Sequence, residues 1–253
     1  REPTVFNAGP RGVSGGAAGP SPGAASAGFG RRAAAGRGSV IRGPGLPVGM
    51  VAAILLAAGG SSRMGGEPKG LLEIPAQGPV LARMARVCED AGLSPVIAVI
   101  GYEAQEHRHR LSSLPVRLVE HPGWARGRTG SAQAGLRTLA ADPSDCLLWP
   151  VDAPFVRRST VQYLLSAPAA PPSGETWRVP VFQGRRGHPV LLGAGAQREV
   201  LRYPADRPLS DYLREHPSSI QEVPVDDPGV VDNLDAPPAF LEALGRFCNG
   251  GGD

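Results

Sequence analysis

The chain has 253 residues, 42% hydrophobic and 19% charged, enough for one large domain or two small ones. The formal net charge is +3, but Arg1, Arg11, Arg31, Arg32, Arg37 and Arg42 face only Glu2 within residues 1–49, so that segment carries +5 and residues 50–253 carry −2. The basicity therefore belongs to the first segment, which argues against a nucleic-acid footprint on the remainder, and no apolar run approaches the roughly 18 residues of a membrane span.

Residues 1–49 are rich in Gly, Ala, Ser, Pro and Arg and have no periodic apolar spacing. Such a segment cannot bury enough surface to offset its ordering entropy. It is expected to be a disordered tail, in character either upstream sequence read into the frame or an arginine-rich transit peptide. Residues 51–57 (VAAILLA) are uniformly apolar, as in a strand buried on both faces of a parallel sheet. Residues 79–91 put Val80, Met84, Val87 and Cys88 near one stripe, which predicts an amphipathic helix opened by Pro79 and closed by Gly92. Strands are predicted over 95–100, 115–119 and 145–151, with a helix over 131–141 before the last of these. Alternating strands and helices predict a doubly wound α/β domain.

Beyond residue 158 the pattern changes. STVQYLLSA reads as a helix and 167–175 as a Pro-rich excursion. TWRVPVF and GHPVLLG read as a hairpin or strand pair around QGRRG. Short helices are predicted near 195–202 and 208–215, then a strand at SIQEVPV and a closing helix at PPAFLEALGRF. The expected organisation is a tail (1–49), one domain (50–245) and a frayed C-terminus (246–253). The three cysteines, Cys88, Cys146 and Cys248, are odd in number and widely spaced, with no metal-ligand pattern. Cys88 and Cys146 are expected to be small buried hydrophobes, and a reducing cytoplasm fits best.

In an open α/β sheet, ligands sit beyond the carboxyl ends of the strands. The stretch AAGGSSRMGGEPKG follows the first strand. Gly59 and Gly60 let the backbone approach a ligand, Arg63 offers a planar fork for phosphate oxygens, and Lys69 offers a mobile point charge. A Walker A loop is excluded by register, because Glu67 and Pro68 separate Gly66 from Lys69. A dinucleotide fingerprint is excluded because no helix follows directly. Asp152, just past the fourth strand, is a candidate magnesium ligand or a turn aspartate. Asp232 and Asp235 are candidates for a second carboxylate, with helix capping as the bland role for Asp235. The acids Asp142 and Asp145 are expected to be solvated, EHRHR (106–110) to be an exposed helix face, and His121 and His216 to have no role.

The stretch LAAGGSSRMGGEPKGLL resembles the signature loop of the MobA-like nucleotidyltransferases, L-A-A-G-x-S-x-R-M-G…K. Three further stretches match that family in order. Asp152-Ala153-Pro154 resembles its D-x-P turn. Asn233, Asp235 and Pro237 resemble its N-x-D-[TS]-P turn, with Ala236 replacing the hydroxyl. GRTGSAQAGL (127–136) resembles G-x-x-x-S-x-x-x-G-L, with Ala132 and Gln133 departing from the usual pair. A fifth, RGHPVL, is similar to the stretch in molybdenum cofactor cytidylyltransferases of the MocA type.

The resemblance covers roughly residues 51–244 and implies a single Rossmann-like α/β domain of the nucleotide-diphospho-sugar transferase type, with a mostly parallel sheet and helices on both faces. It implies nucleotidyl transfer from an NTP to a phosphate-bearing acceptor, with release of pyrophosphate. Arg63, Lys69 and Asp152 would be catalytic. Leu56, Ala57, Ala58, Gly59, Gly60, Ser61, Arg63, Met64, Gly65, Lys69, Ser131, Gln133 and Gly135 would bind the nucleotide. Asp152 and Asp235 would hold Mg²⁺, and Arg186, Gly187, His188 and Pro189 the acceptor, with Arg185 beside them. CTP and a molybdopterin-type cofactor are the favoured substrates, with a molybdoenzyme as recipient. GTP with the same cofactor, a sugar or polyol phosphate, and a non-catalytic nucleotide-binding accessory protein are the alternatives.

Overall fold

The computed structural model describes residues 51–61, 65–139, 145–168 and 176–250. The expected tail, Arg63 and Met64 of the first loop, Asp142 and most of the Pro-rich excursion lie outside the described residues.

The elements run β1 (Ala52–Ala57), a two-strand ribbon of β2 (Glu73–Ile74) and β3 (Gly78–Pro79), α1 (Val80–Asp90), β4 (Val96–Ile100), α2 (Ala104–Arg110), β5 (Arg117–Glu120), α3 (Arg128–Arg137), β6 (Cys146–Pro150), α4 (Arg158–Ser166), β7 (Trp177–Phe182), β8 (Arg185–Arg186), β9 (Val190–Leu192), α5 (Ala194–Arg202), α6 (Leu209–Glu215), β10 (Ile220–Pro224) and α7 (Pro237–Asn249). The main sheet has the order β10-β7-β9-β6-β1-β4-β5, with β8 paired to β7. Strands β6, β1, β4 and β5 are mutually parallel, β10 is parallel to β7, and β9 is antiparallel to both of its neighbours. This is the mostly parallel doubly wound sheet expected from the sequence.

The uniform apolarity of β1 has a direct cause. Ala53, Leu55 and Ala57 join a core with Leu81, Met84 and Cys88 of α1 and with Phe240 and Ala243 of α7. Ala52, Ile54 and Leu56 join a second core with Ala132 and Leu136 of α3, Ala196 of α5 and Tyr212 of α6. Side chains alternate across a strand, so a strand covered by helices on both faces has no polar position. Cys88 and Cys146 are buried, and burial pushes both thiols up.

Three expectations need correction. Helix α7 continues through Asn249, so 246–249 are not frayed; Arg246 pairs with Glu242 and Asp232, and Phe247 stacks on Phe155 at 5.1 Å. His107 of EHRHR is fully buried, its Nδ1 3.0 Å from the Glu103 carbonyl oxygen. Asp145 pairs with the buried Arg178 at 3.6 Å rather than lying free in solvent. Helix α3 is entered from Gly127 with no side-chain cap, and the Thr129 hydroxyl donates to the Arg207 carbonyl at 2.6 Å. Among the described residues no helix is long and apolar enough to cross a membrane.

Helix α3 lies close on β1 because Gly135 has no side chain; a Cβ there would stand 2.6 Å from Ile54 Cγ2. Gly135→Val is expected to cost about 1–3 kcal/mol by overpacking. Urea unfolding checks this, and removing the opposing γ-methyl (Ile54→Ala) should make the double variant's loss less than the sum of the two single losses. A neutral Gly135→Val would contradict the packing.

Candidate functional site

The order β5-β4-β1-β6 places the topological switch point between β1 and β6, where the crossovers diverge to opposite faces. A cleft of about 320 Å³ opens there. Its floor is the β1 exit, Leu56 through Ser61, and the β6 exit, Pro150 to Asp152. The exits are tied together, Val151 N–H donating to the Leu56 carbonyl at 3.1 Å and Tyr102 N–H, just past β4, to the Ala58 carbonyl at 3.0 Å.

The side chain that closes the cleft is Lys69. Its ammonium donates to Asp152 Oδ1 at 2.7 Å and to Asp235 Oδ1 at 2.8 Å. The Lys69 and Asp152 side chains are each 12% exposed, Asp235 35%. Local structure holds this geometry. Lys69 opens a 3₁₀ turn (Lys69–Leu71) and its N–H donates to Ser61 Oγ at 3.0 Å, folding the loop back on itself. The Leu234 N–H donates to the Asp152 carbonyl at 2.9 Å, which brings the Asn233–Asp235 turn against the end of β6. Asn233 then donates to Asp235 Oδ2 at 2.9 Å. The other second-carboxylate candidate, Asp232, pairs instead with Arg246 at 2.5 Å.

The two carboxylates suit a hard divalent cation. Among the described residues no cluster of three or more His, Cys, Asp or Glu side chains that could hold a metal ion exists. Mg²⁺ and Mn²⁺ take one or two protein carboxylates and complete their shells with water and substrate phosphate.

Of the residues expected to bind nucleotide, Leu56, Ala57, Ala58, Gly59, Gly60, Ser61, Lys69 and Ser131 line this cleft. Gly65 does not; with Gly66 it forms a turn at φ +72° and +88°. Gln133 and Gly135 do not contact the cleft either. The Gln133 amide donates to the Val200 and Tyr203 carbonyls at 2.9 and 2.6 Å, securing the end of α5, and Gly135 serves packing on Ile54.

Three residues at the site escaped the sequence reading. Trp124 walls the cleft; a Cβ on Gly60 or Gly101 would stand 3.0 or 2.6 Å from its ring. A half-buried indole on a cleft wall offers an apolar stacking face. Arg128, at the start of α3, donates to Asp152 Oδ2 at 2.8 Å. Arg83 of α1, 2% exposed, donates to the Pro154 and Val156 carbonyls and lies over the Phe247 ring at 4.5 Å, so it braces the turn that carries Asp152. The signal available for Trp124 was an aromatic between glycines in a turn; Arg128 and Arg83 had none.

A second cavity of about 580 Å³ adjoins the first and shares Leu56, Gly127, Arg128 and Pro150 with it. Of the expected acceptor residues, Arg186, Gly187 and His188 line this cavity and Pro189 does not. Arg186 is already paired with Glu222 at 2.7 Å. Gly187 permits a close crossing, since a Cβ would stand 2.2 Å from the Val230 carbonyl oxygen.

The match to a MobA-like NTP transferase domain extends over residues 53–220. The chain belongs to that family. It is therefore a nucleotidyltransferase by family. A relative, nicotine blue oxidoreductase of Paenarthrobacter nicotinovorans, is 30% identical over 194 residues, covering 73% of this chain and 92% of its own. Among solved structures, a nucleotidyl transferase from Methanothermobacter superposes with a TM-score of 0.67 at 25% identity, over 80% of this chain and 99% of that one. Rv0371c of Mycobacterium tuberculosis H37Rv superposes with a TM-score of 0.68 at 22% identity, over 79% of this chain and all of that one, and a manganese complex of Rv0371C also aligns, with a TM-score of 0.62 at 22% identity over 78% and 99%. At that identity the likeness to Rv0371c is one of fold.

His188 supplies a pH test. Burial, and then the Arg128 charge, lower its pKa to about 4 against a modest upward pull from Asp152. A histidine lowered in the fold is neutral there while the unfolded chain protonates near its model value of 6.5. Its contribution to stability is therefore complete above that value and is lost as the pH falls toward 4, by up to about 3 kcal/mol at roughly 1.4 kcal/mol per unit. Unfolding curves across this window should show a steeper acid loss for the wild type than for His188→Gln. Equal slopes would contradict an imidazole kept neutral in the fold.

Proposed function

We propose that the chain transfers the nucleoside monophosphate of an NTP, with CTP favoured, to a phosphate-bearing acceptor of molybdopterin type, in the presence of Mg²⁺. The observation that carries this reading is the convergence of Lys69, Asp152 and Asp235 at the switch-point cleft, beside a second cavity. An acceptor phosphate oxygen forms a bond to the α-phosphorus, the bond to the β-bridging oxygen breaks, and pyrophosphate leaves.

The β1 exit amides and Lys69 bind the triphosphate, and Trp124 orients the base. Asp152 and Asp235 hold the cation. When bound, a divalent cation there would neutralise phosphate charge. Catalysis on this chain is alignment and charge stabilisation, with no covalent enzyme intermediate. Arg63 belongs to the same proposal on the family's motif. The preference for CTP and a molybdopterin-type acceptor is supported by the RGHPVL stretch, whose His188 faces the second cavity. Delivery to a molybdoenzyme goes with that acceptor. The three thiols, none of them paired, support a reducing cytoplasm.

Release of pyrophosphate from CTP, GTP, UTP and ATP, each with acceptor and Mg²⁺, tests the reading. CTP should dominate, and GTP dominance would move the chain to guanylyl transfer. Lys69→Ala should lower turnover by about 10²–10³, the scale of one lost charge-stabilising donor. Asp152→Asn should abolish dependence on added Mg²⁺ together with turnover. Near-normal turnover in both variants would refute these roles.

The name of the Paenarthrobacter relative favours a second reading, an oxidoreductase acting on a compound held in the second cavity. Substrate reduction without pyrophosphate release would select it.

A further inference from the structure

We propose that Asp227, which is 2% exposed and does not line the cleft, is a positioning residue: it sets how far apart Asp152 and Asp235 stand, and through that separation the affinity of the site for a divalent cation. This rests on the cation-site reading of the first cleft and names what holds its two acids in register.

Two chain segments carry the acids. One leaves β6 through Asp152 and enters α4; the other leaves β10 and passes through a 3₁₀ turn (Pro228–Val231) to Asp235. They are tied at three levels. Nearest the acids, the Leu234 N–H donates to the Asp152 carbonyl at 2.9 Å. Next, Gly229 lies on Phe155, where a Cβ would stand 2.6 Å from the Phe155 carbonyl oxygen. Last comes Asp227. Its Oδ2 accepts from the Arg157 N–H at 2.9 Å and from the Thr160 hydroxyl at 2.7 Å, at the start of α4, while its Oδ1 accepts from the Gly229 N–H at 2.9 Å inside the turn. One carboxylate thus joins the helix that follows Asp152 to the turn that precedes Asp235.

The chemistry of this joint calls for an acid. Three donors converge on Asp227, and a carboxylate, which only accepts, satisfies all three. An amide of the same shape has one accepting oxygen and turns its NH₂ group on at least one donor. A buried donor left without its partner is costly, so the backbone around it shifts. The stretch after Asp152 is also gripped from α1, where Arg83 donates to the Pro154 and Val156 carbonyls. The shift therefore falls on the Pro228–Val231 turn and on Asp235 beyond it. Metal affinity is sensitive to such changes, because groups that orient the ligands from behind count for about 10- to 100-fold.

Two measurements separate positioning from plain stabilisation. Amide hydrogen exchange at Leu234, without nucleotide or metal, reports the register of the two segments. Mn²⁺ uptake in the presence of α,β-methylene CTP, followed by water-proton relaxation, reports its consequence; the guanine analogue replaces CTP's if the nucleotide panel selects GTP. Asp227→Asn should speed exchange at Leu234 by about tenfold or more and weaken Mn²⁺ by about 10- to 100-fold. Thr160→Val, which keeps the side-chain shape and removes one donor, should move both in the same direction by about 3- to 10-fold, and Thr160→Ser, which keeps the hydroxyl, should stay within about twofold of the wild type. Val161→Ala, a truncation of a fully buried side chain on the same helix, lowers stability without touching the joint and should leave both measurements as in the wild type. The proposal is overturned by unchanged exchange at Leu234 in Asp227→Asn, by Mn²⁺ uptake within about twofold of the wild type in that variant, or by a Val161→Ala variant that reproduces both effects. If Asp227→Asn does not fold, Thr160→Val decides by the same two measurements. Faster exchange in Asp227→Asn together with no Mn²⁺ uptake by the nucleotide-loaded wild type would uphold the joint and count against the reading of the first cleft.

Discussion

One ammonium group between two carboxylates organises this molecule's working end. Asp152 and Asp235 come from chain segments far apart, 83 and 166 residues beyond Lys69, and without a cation between them their charges would repel. Lys69 satisfies both. Its own N–H is held by Ser61, Asp152 is held by the turn that Arg83 braces, and Asp235 by the backbone bond from Leu234 to Asp152. Three loops from remote parts of the chain are thereby locked over the ends of β1 and β6. In the proposed reaction a divalent cation would take the two acids and Lys69 would turn toward phosphate.

The sheet supplies the rigidity that this geometry needs. β1 is covered on both faces, so the loop leaving it starts from a fixed point. Gly135 allows α3 to lie close on Ile54, and so sets where Arg128 and Ser131 stand relative to that loop. The cleft and the second cavity share four residues and so lie side by side at the end of the sheet. The family match and the overlap with a Methanothermobacter nucleotidyl transferase agree with this scaffold.

Much of this was legible in the sequence, for physical reasons. Apolar runs such as VAAILLA and DCLLWPV are buried strands in a parallel sheet, and Gly59, Gly60 and Lys69, which the sequence places beyond a strand end, line the cleft there. What stayed hidden depended on long-range partners. Gln133 reads as a polar residue at a helix start, but its amide is consumed by the carbonyls at the end of α5. His107 reads as part of a charged helix face, yet it turns inward and bonds the Glu103 carbonyl. Arg128 and Trp124 sit in a turn with no local periodicity, and only the packing of that turn beside β1 and β4 gives them a place in the cleft. The arginine expected at the acceptor, Arg186, is neutralised by Glu222 from β10, a pairing that no local pattern reveals.

The central claim is that Asp152 and Asp235 together form a cation site that a nucleotide triphosphate completes. Manganese titration read by electron paramagnetic resonance tests it most directly. The account predicts weak uptake of Mn²⁺ by the protein alone, where Lys69 already neutralises both acids, and tight uptake when CTP is added, lost in Asp152→Asn and Asp235→Asn. Uptake that is equally tight without nucleotide, or unaltered by both substitutions, would contradict it.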